Sequence, residues 1–115
     1  LAAIALPAYQ DYIARSQVAS GLADIRGGVT AFEEIVNRGT GTLDNAGIGL
    51  AAGTTRCNPI DVVGDLTSGF GTITCNLEGN PRVSSGTVVL TRSGTGGTWA
   101  CSTTGIDPKY IPSGC

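Results

Sequence analysis

The chain has 115 residues, of which 41% are hydrophobic and only 14% charged, with a formal net charge of −2. That length makes one ordinary domain, and the sparse, slightly acidic charge argues against a cationic surface for nucleic acid. There is no histidine, so the usual base beside a serine or cysteine nucleophile is missing and a mixed Cys/His zinc site cannot be completed.

The first residues, Leu1-Ala2-Ala3-Ile4-Ala5-Leu6, are continuously apolar and carry no starting methionine. The run is far short of the roughly 20 residues that span a bilayer, and it lacks the basic start and small-residue cleavage site of a signal peptide. It reads as the trailing end of a longer hydrophobic helix rather than as a buried helical turn. From Ala14 onward, Val18, Leu22, Ile25, Val29, Phe32 and Val36 recur at alternating spacings of four and three. This is one apolar stripe on a helix, expected over residues 1–38. Asp11 with Arg15 and Glu34 with Arg38 are acid-first i,i+4 pairs. Gly39 is placed as a left-handed cap. Pro7 has no amide donor and should kink the helix or loosen its hydrogen bonding. Gly27-Gly28 is a weak spot, each glycine about 1 kcal/mol worse than alanine, either tolerated or used for bending and close packing in an assembly. Glu33 and Glu34 point about 100° apart, a poor catalytic pair and a natural solvated face.

Residues 39–67 show little periodicity and contain Gly41, Gly47, Gly49, Gly53 and Gly64. They read as a long connection with room for a short helical turn or strand. Asp61 and Asp65 flank Val62-Val63-Gly64, which is too poor in oxygen ligands for calcium, so both aspartates are expected to be surface charges. The period then changes to two. Thr72, Thr74 and Asn76 alternate with Ile73, Cys75 and Leu77 as in a half-buried strand, and residues 87–92 and 98–101 are further β-rich runs. Turn material at 78–81 and 93–97 joins them, giving an antiparallel sheet over 68–100. One face of that sheet would bury the helix stripe, so the fold class is α+β: a long N-terminal helix packed on an antiparallel sheet. In the last segment, Asp107-Pro108-Lys109-Tyr110 suits a type I turn and Pro112-Ser113-Gly114-Cys115 a type II turn.

The cysteines, Cys57, Cys75, Cys101 and Cys115, include no C-x-x-C pair. Nothing in their spacing favours a metal, and two disulfides formed outside the cytoplasm are the better reading. Three connectivities are open. No cofactor is expected, and no N-x-S/T acceptor is present.

Leu1 to Tyr12, followed by Ile13-Ala14-Arg15-Ser16-Gln17, resembles the conserved helix segment of type IVa pilins. Trp99-Ala100-Cys101, continuing through Asp107-Pro108-Lys109-Tyr110 to Pro112-Ser113-Gly114-Cys115, is similar to the disulfide-bounded C-terminal loop of the same family. The resemblance implies one ladle-shaped pilin domain over 1–115, with a spine (1–38), a connecting loop (39–67), a sheet (68–100) and a cystine loop (101–115). It implies that Cys101 pairs with Cys115, leaving Cys57 for Cys75, an extra pair beyond the simplest pilin pattern.

It also implies the major structural subunit of a type IV pilus, polymerising through its helix into an extracellular filament for adhesion and twitching motility. Leu1, Ala2, Ala3, Ile4, Ala5, Leu6, Pro7 and Ala8 would then lie in the filament core. The loop residues Ser102, Thr103, Thr104, Gly105, Ile106, Asp107, Pro108, Lys109, Tyr110, Ile111, Pro112, Ser113 and Gly114 would form a receptor-binding loop, with Tyr110 exposed for host-cell glycans. The implied partners are identical subunits, the pilus assembly machinery and, before assembly, the inner membrane of a Gram-negative cell with the head in the periplasm. The family's methylated N-terminal phenylalanine and nearby glutamate lie outside this sequence. A secretion-system pseudopilin, a minor pilin and a freestanding glycan-binding module are the other readings, and an enzyme is disfavoured.

Overall fold

Two helices precede four strands in the computed structural model, which describes residues 2–115, with side chains from Ala8 onward. Helix α1 spans Ala2–Arg26 and α2 spans Val29–Arg38. The helix expected over 1–38 is therefore broken at Gly27-Gly28. The connection that follows α2 decides this, because a side chain at Gly28 would come within 2.7 Å of Ile48 Cδ1 and 2.9 Å of Leu50 Cδ1. Glycine is the residue that permits such an approach, and it is also the one that weakens a helix interior. The apolar stripe survives the break: Ala14, Val18, Leu22, Ile25, Phe32 and also Ile35 are buried, with Val29 and Val36 packed against them. Gly39 ends α2 at φ +73°, its N–H donating to the carbonyls of Ile35 and Val36. Pro7 lies within the single span of α1 rather than at a break in it, and the side-chain packing expected of Leu1–Pro7 lies outside the described side chains.

The i,i+4 pairs divide. Glu34 and Arg38 meet at 4.0 Å on an exposed face, where such a contact contributes little. Asp11 and Arg15 do not pair; each is turned instead to a distant part of the chain, as described below.

The sheet is an antiparallel meander in the order β1 (Cys57–Gly64), β2 (Gly71–Leu77), β3 (Thr87–Arg92) and β4 (Trp99–Thr104). Strand β1 lies inside the stretch read as a connection. Its alternation is hidden by a bulge between Cys57 and Ile60, around the cis Asn58-Pro59 bond, and by its place at the sheet edge, where a proline is tolerated and apolar Val63 faces outward beside Asp61. The connection guards that edge: Ile60 N–H donates to Ala52 O at 2.8 Å, and Asn45 Nδ2 donates to Ile60 O at 2.8 Å. Strand β4 runs past Cys101, so Ser102, Thr103 and Thr104 pair with Val89, Val88 and Thr87 and belong to the sheet rather than to a loop. Cys57 is bonded to Cys75 across β1 and β2.

Ile73, Cys75, Leu77, Val88 and Leu90 face the helix stripe and form the core with it. The described chain measures 58 × 25 × 18 Å. That elongation comes from α1, whose 25 residues extend about 37 Å at 1.5 Å each, well beyond the sheet it packs on.

Candidate functional site

The C-terminal segment is built on β4 and closed by the Cys101–Cys115 disulfide. Ile106 turns into the core. Asp107 Oδ1 accepts from the Lys109 amide at 3.1 Å and opens a single 3-10 turn at Pro108–Tyr110. The second turn is closed by Cys115 N–H donating to Pro112 O at 3.2 Å, with Gly114 at φ +90°, as a type II turn requires.

Tyr110 is not an exposed contact residue. It is 4% accessible, and its hydroxyl donates to Asp11 Oδ1 at 3.2 Å. The same oxygen accepts from Arg82 Nη1 at 3.3 Å. Arg15 Nε donates to Lys109 O at 3.2 Å. The amide of Asn80 donates to Gln17 Oε1, and its side chain to Gln10 Oε1, both at 2.8 Å. These contacts form a polar seam binding α1 to the β2–β3 turn and to the C-terminal loop. Of the residues assigned to the loop, Ser102, Thr104, Gly105, Asp107, Pro108, Lys109, Ser113 and Gly114 are exposed, Thr103, Ile111 and Pro112 are half-buried, and Ile106 and Tyr110 are buried. Lys109 Nζ stands 5.2 Å from the Tyr110 ring centroid, within cation–π range. Ala8, the described member of the filament-core set, is exposed.

A second polar cluster lies where α2 crosses the sheet. Arg92, 8% accessible, donates through Nε to Glu33 and through Nη1 to Gly69 O at 2.9 Å. Trp99 Nε1 donates to Glu33 Oε1 at 2.8 Å. Glu33 is thus no solvated charge, which corrects the reading of the Glu33-Glu34 face. The signal was present in the sequence: Arg92 follows Val88 and Leu90 at a spacing of two, on the core side of its strand, where a charge requires a partner. The hydrogen bond from the Arg92 guanidinium, aided by the Trp99 N–H and by the charge of Arg92, holds the Glu33 carboxyl below the ordinary glutamate range against the opposing effect of burial.

A carboxyl depressed on folding stabilises the fold above its unfolded pKa and loses that contribution as pH falls through the folded value. Glu33→Gln is therefore expected to cost about 2 kcal/mol at neutral pH, the range of a hydrogen bond to a charged group. Its deficit against the parent chain should shrink as pH falls from the unfolded glutamate pKa, about 4.3, through the lower folded value. Urea titrations of both chains across that interval test it, and a deficit that does not change with pH would contradict it.

Among the described residues no three His, Cys, Asp or Glu side chains gather as metal ligands, and no described helix is long and apolar enough to cross a membrane.

Residues 14–115 match the family model for pilin, a bacterial filament protein. Fimbrial protein EcpC of Eikenella corrodens is 38% identical over 121 residues, covering 100% of this chain and 78% of that protein. The type IV major alpha-pilin of Moraxella bovis is 31% identical over 136 residues, covering 100% of this chain and 85% of that one. Among solved structures, the crystal structure of a Cs1 pilin chimera aligns with a TM-score of 0.77 and 28% identity, over 91% of this chain and 98% of that chain. With the helix-on-meander architecture and the C-terminal cystine in one chain, the chain belongs to the pilin family of bacterial filament subunits.

Proposed function

We propose that the chain is the major structural subunit of a type IV pilus, an extracellular filament of identical copies used for adhesion and twitching motility. The observation that carries the reading is similarity along the whole chain to proteins named as major type IV pilins from Moraxella bovis, Dichelobacter nodosus and Neisseria gonorrhoeae. The shape supports it, since α1 extends past the head and carries exposed Tyr9 just before Gln10 and Asp11, the first of its side chains bonded to the head. On this reading Leu1–Ala8 enters the filament core, and the whole chain acts as one pilin domain with a structural rather than enzymatic role. Before assembly the helix would anchor in the inner membrane with the head in the periplasm, where the assembly machinery meets it. The exposed part of the loop, Asp107, Pro108, Lys109 and Ser113, would be the face offered to host glycans.

Electron microscopy of filaments sheared from the producing cells, with mass spectrometry of their main component, tests the proposal. This chain should be the principal protein. Recovery as a trace component would make it a minor pilin, and recovery only from secretion-system preparations a pseudopilin. A truncation separates assembly from folding. The cut belongs before Tyr9, because Gln10 and Asp11 bond to the head; a cut after residue 13 would remove both. Deleting residues 1–8 should abolish incorporation into filaments while shifting head stability by less than about 1 kcal/mol, as for changes away from packed positions. Calorimetry and filament yield read the two effects, and an unfolded truncated head would show that the segment belongs to its core.

A further inference from the structure

The cations of this chain are unevenly placed. Three of its seven Lys and Arg residues gather at the end of the head from which α1 projects: Arg15 on α1, Arg82 in the turn between β2 and β3, and Lys109 in the C-terminal loop. Arg15 Nε donates to Lys109 O at 3.2 Å, and Arg82 Nη1 to Asp11 Oδ1 at 3.3 Å. Three separate elements thus hold them around one stretch of the helix, and all three residues are exposed. Of the acids on these elements, Asp11 is paired with Arg82 and Asp107 is turned to the Lys109 amide. Glu78 lies beside Arg56, which donates to its carbonyl. Among the described residues neither Arg15 nor Lys109 makes an ion pair.

This cluster begins where the apolar run Leu1–Ala8 ends. At 1.5 Å per residue, Asp11 stands about 4.5 Å and Arg15 about 10 Å beyond Ala8 along the helix axis. A bilayer carries roughly 5–7 Å of headgroup region on each face of its hydrocarbon core. With the run in the core, Asp11 and the Arg82 guanidinium bonded to it fall within the headgroup layer. Arg15 lies just above that layer, and helical side chains lean toward the N-terminus, which carries its charge back down. Tyr9 and Tyr12, 59% and 72% accessible, stand at the same depth, where tyrosines collect at membrane surfaces. The chain as a whole has a net charge of −2, so attraction to an anionic surface has to come from such a local rim.

We infer that Arg15, Arg82 and Lys109 form a basic rim that binds the phosphates of anionic phospholipids at the membrane surface. The inference rests on the membrane-anchored reading of the unassembled subunit and adds to it the chemistry of the lipid. The guanidinium groups present paired donors that fit phosphate oxygens, and the lysine supplies a further charge. The attraction is short-ranged and screened by salt. It seats the end of the head against the headgroups without a deep pocket, and it is weak enough to release the subunit when the helix is withdrawn.

Cosedimentation of the full chain with vesicles of phosphatidylcholine alone, and of equal parts phosphatidylcholine and phosphatidylglycerol, tests the rim. Binding to the mixed vesicles should be roughly tenfold tighter or more. The difference should vanish in about 1 M NaCl, where charges are screened beyond about 3 Å. Lys109→Gln should weaken binding to the anionic vesicles about fivefold, the contribution of one cation near such a surface, and leave binding to phosphatidylcholine unchanged. Arg15→Gln should act in the same direction, while Arg15→Lys, which keeps the charge, should retain most of the binding. A parent chain that shows no preference for the anionic vesicles would overturn the rim and leave the filament reading intact, and so would a Lys109→Gln chain that binds them like the parent. A Lys109→Gln chain that keeps its lipid preference but enters filaments poorly would instead assign the lysine to contact between copies. The vesicle preference is measured without filaments, so a parent chain missing from sheared filaments would overturn the filament reading separately.

Discussion

Phe32→Ala should lower the stability of the head by about 3–5 kcal/mol, the range for emptying a fully packed aromatic site. Phe32 is wholly buried and among the largest side chains so placed. Its ring lies edge-on to Trp99, with centroids 5.2 Å apart and planes at 84°, a favoured geometry for two aromatic quadrupoles. Beneath the ring are Gly64 and Gly71, paired across β1 and β2. A side chain at Gly64 would already be within 2.9 Å of Phe32 Cζ, so the sheet is bare where the ring rests. The paired glycines offer no side chain to fill the space when the ring is removed, and Leu43, which also lies against Gly64, is the side chain on that side nearest to it. Trp99 also loses its packing partner, which loosens its bond to Glu33. Denaturant unfolding of the parent and variant chains measures the loss. A cost below about 1.5 kcal/mol would mean that α2 settles onto the sheet and closes the space. The helix α1 makes no use of Phe32, so the failure should be one of head folding and of the amount of subunit available for assembly.

Tyr110→Ala is expected to cost about 3 kcal/mol, at the low end for a buried aromatic, and to free the C-terminal loop from α1. Tyr110→Phe removes only the hydroxyl and its bond to Asp11, for about 1.5 kcal/mol. Lys109→Ala should stay within about 0.5 kcal/mol, as exposed side chains do, since the turn uses the Lys109 backbone through Asp107 and Arg15. The three variants rank the loop's supports, and limited proteolysis of the oxidised chains reads its detachment. If Tyr110→Ala proves as stable as Lys109→Ala, the disulfide alone holds the loop. The ranking also governs any test of glycan attachment. A Lys109/Tyr110 double substitution perturbs the scaffold, because Tyr110 is buried and bonded to Asp11. Lys109→Ala with Ser113→Ala alters the exposed face and leaves the seam in place.

Much of the fold was legible because burying one face imposes a local period. The stripe from Ala14 to Phe32, the two-residue alternation of β2 and the sharp limits of β3 are all read from side chains that share one face. The cap at Gly39 and the turns at 107–110 and 112–115 were equally local, resting on the φ preferences of glycine and proline. The cystine loop and the opening helix segment carried the family likeness.

Tertiary placement decided the rest. Residues 57–64 form a strand because β2 offers them an edge and the connection covers part of the other side; their own pattern, broken by Pro59 and the bulge before Ile60, is too irregular to announce it. The helix breaks at Gly27-Gly28 because Ile48 and Leu50, some 20 residues away in sequence, pack where a side chain would stand. Asp11 had Arg15 one turn away, a pairing worth about 0.2–0.5 kcal/mol. It is held instead by Arg82 and Tyr110, 71 and 99 residues along the chain. Glu33 likewise finds Arg92 and Trp99, 59 and 66 residues along. Apolar burial needs only a face, which a short stretch of sequence can specify. A charge-assisted hydrogen bond needs one donor atom at one distance, and which donor arrives there is fixed only when the sheet has docked on the helices.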